Sequence, residues 1–310
     1  MRGVRHTERG IEVLDVPDPD GGVTVQVQST SICGSDLHML EYGALPFTLG
    51  HEVAGTLADG TPVAVDPTAP CGTCDQCTSG ATQRCRTGAE RVLGVGRDGG
   101  MADALSVDAA ALVPLPHGVR VEDACLVEPL AVAVHGLRVA GLAGGERVAV
   151  VGAGGIGLAA VAVAIASGVD VDLVARHRAQ QEAGERLGAR PAAEGEHDLV
   201  VEAAGTESAL ATAAELCAPG GTILFLSTHW SPVHIPGLPA LMKELAFRWG
   251  YTYGTHPGGR DVDTAAALLA RRPEIASTLV THRFPLDDAA DAFRVAADRA
   301  AGAIKVVIEP

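Results

Sequence analysis

Cys71, Cys74, Cys77 and Cys85 stand in a Cys-x2-Cys-x2-Cys-x7-Cys run. Four thiols this close together can complete a tetrahedral site of four sulfurs, the geometry of structural zinc with every ligand position filled. Such a metal holds a loop in shape and leaves no position for a substrate. A pair of disulfides is the competing reading. The spacing and the odd total of seven cysteines favour metal in a reducing compartment. A second set of candidate ligands is scattered over three pieces: Ile32-Cys33-Gly34-Ser35-Asp36-Leu37-His38, Leu49-Gly50-His51-Glu52, and Val127-Glu128-Pro129-Leu130. One thiolate, one imidazole and one or two carboxylates make an open zinc site with a position left for water or a substrate oxygen. Spacing alone does not bring these pieces together, since such ligands converge only in the fold.

A third motif binds rather than reacts. Val148 to Val151 is a short apolar run, followed by Gly152-Ala-Gly154-Gly155-Ile156-Gly157 and then by the apolar stretch Leu158 to Ser167. Strand, Gly-x-Gly-x-x-Gly and helix in that order form the dinucleotide fingerprint. Gly152 permits the tight turn, Gly154 lets backbone amides approach a pyrophosphate, and Gly157 lets helix and strand pack closely. Gly155 and Ile156 lie within the turn, and the helix that follows offers N-terminal N–H groups and a partial positive charge that suit phosphates. The end of the second strand selects the dinucleotide, because NAD sites usually place a carboxylate there for the ribose 2′-OH. Here Ala175 takes that place, followed by Arg176, His177 and Arg178. Arginine binds a 2′-phosphate bidentately, so NADP(H) is expected. Asp170 or Asp172 nearby leaves NAD(H) as the alternative.

The elements needed to hold these groups change style along the chain. The first third is strand and turn: Val23–Val27 alternates, and two β-like runs flank Asp59-Gly60, a hairpin signal. This predicts an irregular antiparallel barrel with the cysteine loop protruding. From residue 121 strands and helices alternate: helix 121–139, strand 147–151, helix 158–167, strand 171–174, helix 180–187, strand 198–201, helix 208–216 and strand 222–226. That spacing implies a parallel sheet with right-handed crossovers. Helices 262–270 and 287–297 and a strand at 303–308 follow. At 310 residues two domains are the default. The expected division is a β-rich catalytic domain over 1–127, with the metal loop at 71–85, a doubly wound dinucleotide domain over 128–272, and a return to the first domain over 273–310. A net charge of −15 argues against nucleic acid or an anionic membrane surface as partner. Arg2, Arg5, Glu8 and Arg9 leave no apolar run at the start, so no secretory signal and a cytoplasmic location are expected.

Taken together, Cys33-Gly-Ser-Asp-x-His38, Gly50-His51-Glu52, the four-cysteine loop, Val127-Glu128-Pro129 and the glycine turn resemble, in that order, the zinc-dependent medium-chain alcohol dehydrogenases. The pattern is most similar to the sorbitol and threonine (polyol) branch, where a Glu-Pro-Leu piece stands in place of a third-ligand cysteine. The resemblance runs from about residue 10 to the end, including the tail at Ile304-Lys305-Val306. It implies a GroES-like β-rich catalytic domain joined to a Rossmann domain, an α/β chain, with two zinc ions, one catalytic and one structural. By that resemblance Cys33 and His51 bind the catalytic zinc directly, and Glu52 or Glu128 supplies the third ligand. Asp36 orients His51, Ser35 takes the proton of the substrate hydroxyl, and His38 relays it towards solvent. The implied substrate is a small secondary alcohol or its ketone.

The residues also have plainer readings. Glu128 can cap a helix, Ser35 can be a turn residue, and His229 is among the histidines read as surface or structural. The chain is shorter than the family pattern, at the tight hairpin 57–62 and between Gly188 and Asp198. Leu40, Tyr42, residues 45–47 and part of 228–236 are expected to line the substrate mouth. Gly221–Leu226 resembles the family's edge strand, which implies a homodimer or homotetramer. Two other functions share parts of the pattern: a family reductase acting on a conjugated C=C or C=N bond with an idle zinc, and a non-enzymatic NADPH- or zinc-binding protein. Neither explains why Cys33, Ser35, His38, His51 and Glu52 are all present.

Overall fold

The structure, a computed structural model, describes residues 1–310, the Arg299 side chain excepted. The chain forms two compact units, Met1–Glu128 with Gly254–Pro310, and Pro129–Tyr253. The first begins with the hairpin β1 (Arg2–Thr7) and β2 (Gly10–Asp15), then β3 (Val23–Ser31), α1 (Gly34–Met39), β4 (Glu52–Thr56) and β5 (Pro62–Val65). β6 (Ala104–Val107) and β7 (Leu112–Pro114) complete its first pass. In β3 the valines at 23, 25 and 27 turn inward while Thr24 and Gln26 face solvent, the period-2 pattern of a half-buried strand. Val25, Val27, Val53, Val63 and Val65 then share one apolar cluster with Leu93 and Leu105.

A 3₁₀ turn at Val121–Leu126 leads into α2 (Val127–Ala140), where the sequence predicts one continuous helix. The second unit carries β8 (Val148–Val151), α3 (Gly155–Ala166), β9 (Val171–Val174), α4 (Arg178–Leu187) and β10 (Arg190–Pro191). It continues through β11 (His197–Glu202), α5 (Glu207–Leu216), β12 (Cys217–Phe225), α6 (Gly237–Met242) and β13 (Ala246–Trp249). The sheet order is β10-β9-β8-β11-β12-β13 and every pairing in it is parallel. Both faces are covered, so its strands read as continuous apolar runs rather than alternations. α3 is apolar all round, with Leu158 to Val163 buried, as a helix enclosed on several sides must be.

β12 is internal, not the edge: β13 pairs with it in register from Thr222↔Ala246 to Phe225↔Trp249. The sequence reading missed β13 because Ala-Phe-Arg-Trp, half exposed, shows neither an apolar run nor a clean alternation. Between Gly188 and the start of β11 at His197 only the two-residue β10 is present, in line with the short sequence there.

The return to the first unit starts at Gly254, not at residue 273. The helix α7 (Asp261–Arg271) buries Val262, Ala265, Ala266, Leu268 and Leu269 within that unit. Just before it, the Arg260 guanidinium donates to the carbonyls of Ala110 (2.8 Å) and Leu112 (3.0 Å). The boundary was misread because an amphipathic helix after a β/α series looks like one more crossover. α8 (Glu274–Leu279), β14 (Val280–Pro285), α9 (Ala289–Ala297) and β15 (Lys305–Glu309) follow. β15 lies between β14 and β3, giving the order β14-β15-β3-β4-β5-β7 with β6 also paired to β3. The chain's last strand therefore lies next to the strand that leads into Cys33. No helix among the described residues is long and apolar enough to cross a membrane.

Candidate active site

β3 delivers the first ligand candidate. Its last three residues, Ser29 to Ser31, are all buried, and Cys33 follows as the N-cap of α1. Asp36 Oδ2 accepts the Cys33 backbone N–H at 2.9 Å, closing a capping arrangement that fixes the start of α1 and aims the thiol. Gly50, at φ +96°, turns the chain into β4, and His51 and Glu52 arrive at the start of that strand. A Cβ on Gly50 would lie 2.8 Å from the Met101 backbone nitrogen, so only glycine permits the approach.

The structure brings Cys33, His51 and Glu52 together: one ligand atom from each lies within 4.8 Å of the others. His51 is buried. Its Nε2 is 3.4 Å from Ser35 Oγ, and its Nδ1 is 3.4 Å from Asp36 Oδ1. Neither His51 Nδ1 nor Asp36 Oδ1 completes a hydrogen bond at that separation, although both are buried. Burial works against a charged His51 imidazole, but the Asp36 carboxylate and the Cys33 thiolate raise its pKa well above the ordinary histidine value. A thiolate, a basic imidazole and a carboxylate sharing one small buried space are a donor set that fits a divalent zinc ion.

Glu128 is buried at the first turn of α2 and lies outside that tight triplet. His38 is half exposed, with Nδ1 3.4 Å from Glu41 Oε1. Its openness suits a group that hands protons to solvent.

Two residues were missed as site residues. The Lys305 ammonium donates to both oxygens of Glu52, and Ser31 Oγ donates to Glu52 Oε2. Lys305 and Glu52 are both fully enclosed. Burial disfavours the Lys305 ammonium, yet Glu52 and Cys33 hold its pKa above the ordinary lysine value. The signal was available: a lone lysine inside the apolar run Ile304 to Ile308 needs a buried anion opposite it.

The second cluster also forms. The sulfurs of Cys71, Cys74, Cys77 and Cys85 lie within 4.8 Å of one another. Cys74 to Cys77 is 3.5 Å and Cys71 to Cys77 is 3.9 Å. A disulfide would need about 2.05 Å, and all seven cysteines are free thiols. Four zinc–sulfur bonds of about 2.3 Å place tetrahedral sulfurs about 3.8 Å apart, so the spacing matches the ion. Backbone N–H groups also point at sulfur, from Cys71 to Cys85 Sγ (3.3 Å) and from Cys74 to Cys71 Sγ (3.4 Å). Hydrogen bonds led by the Thr73 N–H lower Cys71 to about 5, while burial raises Cys77 to about 12, so the four sulfurs need a bound cation to share the thiolate form.

In the second unit the glycine turn has the expected form. Gly152 sits at φ +106°. A Cβ on Gly157 would lie 1.9 Å from the Gly152 carbonyl oxygen, so that contact admits glycine alone. Gly154 is the N-cap of α3 with no side-chain cap, and Gly155 and Ile156 begin the helix. A Cβ on Gly154 would meet nothing within 4 Å, so its backbone faces open space from which a phosphate can approach.

After β9, Ala175 is half-buried and Arg176 and Arg178 are exposed. Arg178 pairs with Glu182 one helical turn on, at 2.7 Å. Both nearby aspartates are paired, and of the two Asp172 is buried. Arg190 holds Asp170 at 3.0 Å and Asp172 at 2.6 Å, and His197 Nε2 takes the other Asp172 oxygen at 2.7 Å.

Comparison with known proteins identifies the family and the fold. Residues 19–117 match the model of the alcohol dehydrogenase GroES-like domain, and residues 169–308 match that of the zinc-binding dehydrogenases. L-galactonate-5-dehydrogenase of Escherichia coli (strain K12) is 30% identical, covering 90% of this chain and 89% of its own. D-altritol 5-dehydrogenase of Agrobacterium fabrum is 31% identical, covering 93% and 94%. A solved chain of zinc-binding dehydrogenase type from Sinorhizobium meliloti 1021, bound to NADP, superposes with a TM-score of 0.88 at 28% identity, covering 100% of this chain and 99% of that one. The chain belongs to the zinc-binding alcohol dehydrogenase family, with a GroES-like domain joined to a Rossmann-type domain. Within that family it falls with the polyol dehydrogenases, and it is a zinc-dependent enzyme that exchanges hydride between an alcohol and a nicotinamide dinucleotide.

Proposed function

We propose that the enzyme oxidises a secondary alcohol of a polyhydroxylated compound, or reduces the matching ketone, with NADP(H). The observation that carries the reading is the Cys33–His51–Glu52 triplet with Ser35 Oγ 3.4 Å from His51 Nε2. Cys33 and His51 would hold the catalytic zinc, with Glu52 or Glu128 as the remaining protein donor. When bound, zinc supplies Lewis acidity that makes a hydroxyl acidic near neutral pH, and the dinucleotide accepts the hydride. The protein moves the proton: Ser35 Oγ takes it from the substrate hydroxyl, and His38 carries it on to solvent. Asp36, fixed by the cap on α1, would face the His51 imidazole and orient it. Lys305 and Ser31 hold the Glu52 carboxylate in place within the triplet. Cys71, Cys74, Cys77 and Cys85 would hold the structural zinc. A polyhydroxylated substrate is supported by the relatives that oxidise galactonate and altritol at C5. A panel of polyols, sugar acids and simple secondary alcohols, followed by cofactor absorbance, tests this. Turnover confined to simple unsubstituted alcohols would overturn it.

The preference for NADP(H) rests on what surrounds the adenosine end of the glycine turn. Gly152, Gly154, Gly155, Ile156 and Gly157 would receive the pyrophosphate, and Ala175 leaves room beside the ribose. Asp172 is buried and engaged by Arg190 and His197, and Arg178 pairs with Glu182, which leaves Arg176 as the exposed cation for a 2′-phosphate at the strand's end. Arg176→Ala is expected to lower kcat/KM for NADPH roughly 10–100-fold and to leave NADH nearly unchanged, the size of a lost charge-assisted pair. An unchanged NADPH/NADH ratio would remove the assignment.

The protein would act as a homo-oligomer in the cytoplasm. The support is the free edge of β13, whose unpaired backbone groups invite a second strand, together with exposed Leu238, Leu241 and Met242 on α6 and Trp249 on β13 itself. Sedimentation should show a dimer or tetramer, and Met242→Glu should shift it to smaller species. A monomeric wild type at micromolar concentration would end this reading. Free cysteines throughout favour a reducing compartment, and cell fractionation checks it.

A further inference from the structure

Glu202 ends β11 where the order of the six-stranded sheet reverses, between β8 and β12. Its three predecessors, Leu199, Val200 and Val201, are buried and apolar, and Glu202 is as buried as they are. A buried carboxylate is costly unless its oxygens are all engaged, and here they are. Oε1 accepts the backbone N–H groups of Ala204 (2.9 Å) and Gly205 (2.8 Å). Oε2 accepts the Ser227 hydroxyl and lies 3.4 Å from His229 Nε2. His229 Nε2 is in turn 3.1 Å from Ser227 Oγ. The His229 ring stands edge-on to Phe225, with centroids 5.5 Å apart, and Phe225 stacks on Trp249.

One side chain therefore joins two loops, 203–205 after β11 and 227–229 after β12. Both leave the carboxyl ends of parallel strands, and the first abuts the glycine turn. A Cβ on Gly152 would lie 2.9 Å from both the Ala203 carbonyl carbon and the Ala204 nitrogen. In open α/β sheets a ligand binds outside the carboxyl ends of the strands, at the point where the order reverses. An apolar residue at 202 would pack the strand end as well but would leave both loops untied.

We propose that Glu202, Ser227 and His229 form a positioning cluster for the dinucleotide, holding the two carboxyl-end loops in the arrangement that receives the part of the cofactor beyond the pyrophosphate. This rests on the reading of residues 129–253 as the NADP(H)-binding unit. The cluster acts through the loop backbones and needs no contact of its own with the cofactor.

Fluorescence titration of the zinc-loaded enzyme with NADPH, alongside steady-state kinetics, tests it. The double variant Ser227→Ala/His229→Ala is expected to weaken NADPH binding about tenfold, the loss of one or two hydrogen bonds to a charged group. KM for NADP⁺ should rise more than kcat falls. Glu202→Gln keeps the volume and the acceptor for the Ala204 and Gly205 amides, so it should retain more affinity than Glu202→Ala. His229→Asn, confined to the loop, carries the same test should the double variant fail to fold. Unchanged NADPH affinity in a folded variant, or affinity that falls equally in Glu202→Gln and Glu202→Ala, would overturn the proposal. A wild type that binds neither NADPH nor NADH would overturn the reading beneath it as well.

Discussion

Replacing Cys33 with alanine is expected to abolish turnover and to lower the zinc content from two ions per chain to one. Cys33 contributes the one thiolate of the open triplet, and no other cysteine is placed to substitute, since Cys125 and Cys217 are buried and belong to neither cluster. Without it a divalent ion would keep one imidazole and a carboxylate already held by Lys305. Such a set is too poor a donor group to hold zinc against buffer. Lewis acidity worth several kcal/mol would leave with the metal, and each 1.36 kcal/mol is a factor of ten, so kcat should fall by roughly a thousandfold or more. Metal analysis by inductively coupled plasma mass spectrometry, run beside the assay, separates loss of zinc from loss of fold. A Cys33→Ala enzyme with one zinc and unimpaired turnover would remove the triplet from the chemistry. Asp36→Ala provides a graded companion. It leaves the ligands and removes both the cap on the Cys33 N–H and the carboxylate facing His51, so a loss of about 10–100-fold is expected.

Replacing Cys74 with serine should act on stability rather than on chemistry. Its sulfur lies 3.5 Å from that of Cys77, in a cluster whose spacing matches a central zinc ion. Few other groups hold residues 71–91. Among the described residues the segment has only short helical turns at Asp75–Thr78, Thr82–Arg84 and Gly88–Arg91, and most of its side chains are partly or wholly exposed. A lobe with so little core relies on its metal for folding free energy. Loss of that ion should lower the melting temperature by roughly 10 °C, the shift expected from a few kcal/mol in a domain of this size. Calorimetry with and without a chelator checks it. The wild type treated with chelator should approach the Cys74→Ser value, and a variant with two zincs and an unshifted transition would end the structural-metal reading.

Much of the chain was legible before any coordinates. The cysteine run and the glycine turn are local motifs: their residues lie close in sequence, so spacing alone encodes the geometry. Gly157 illustrates why, since the 1.9 Å approach to the Gly152 oxygen follows directly from a turn between adjacent elements. The parallel sheet was readable because strands and helices alternate along the chain at the spacing that right-handed crossovers need. The return point near residue 254 was not, as α7 carries the same amphipathic pattern whichever unit its apolar face covers. Nor was β13, a short edge strand whose half-exposed residues show no period.

The residue types, their order and their spacing determined by themselves that this chain would carry two metal-type donor sets and a dinucleotide turn, and so to which family it belongs. Only the tertiary structure decided how the scattered set is completed and balanced. Glu52 meets Lys305 across more than 250 positions because the last strand, β15, pairs beside β3. The buried Asp172 loses its availability to a ribose because Arg190 and His197 reach it from β10 and β11. The reason is the same in each case. A buried charge takes whichever partner the packing brings within about 3 Å, and one-dimensional spacing does not record which partner that is.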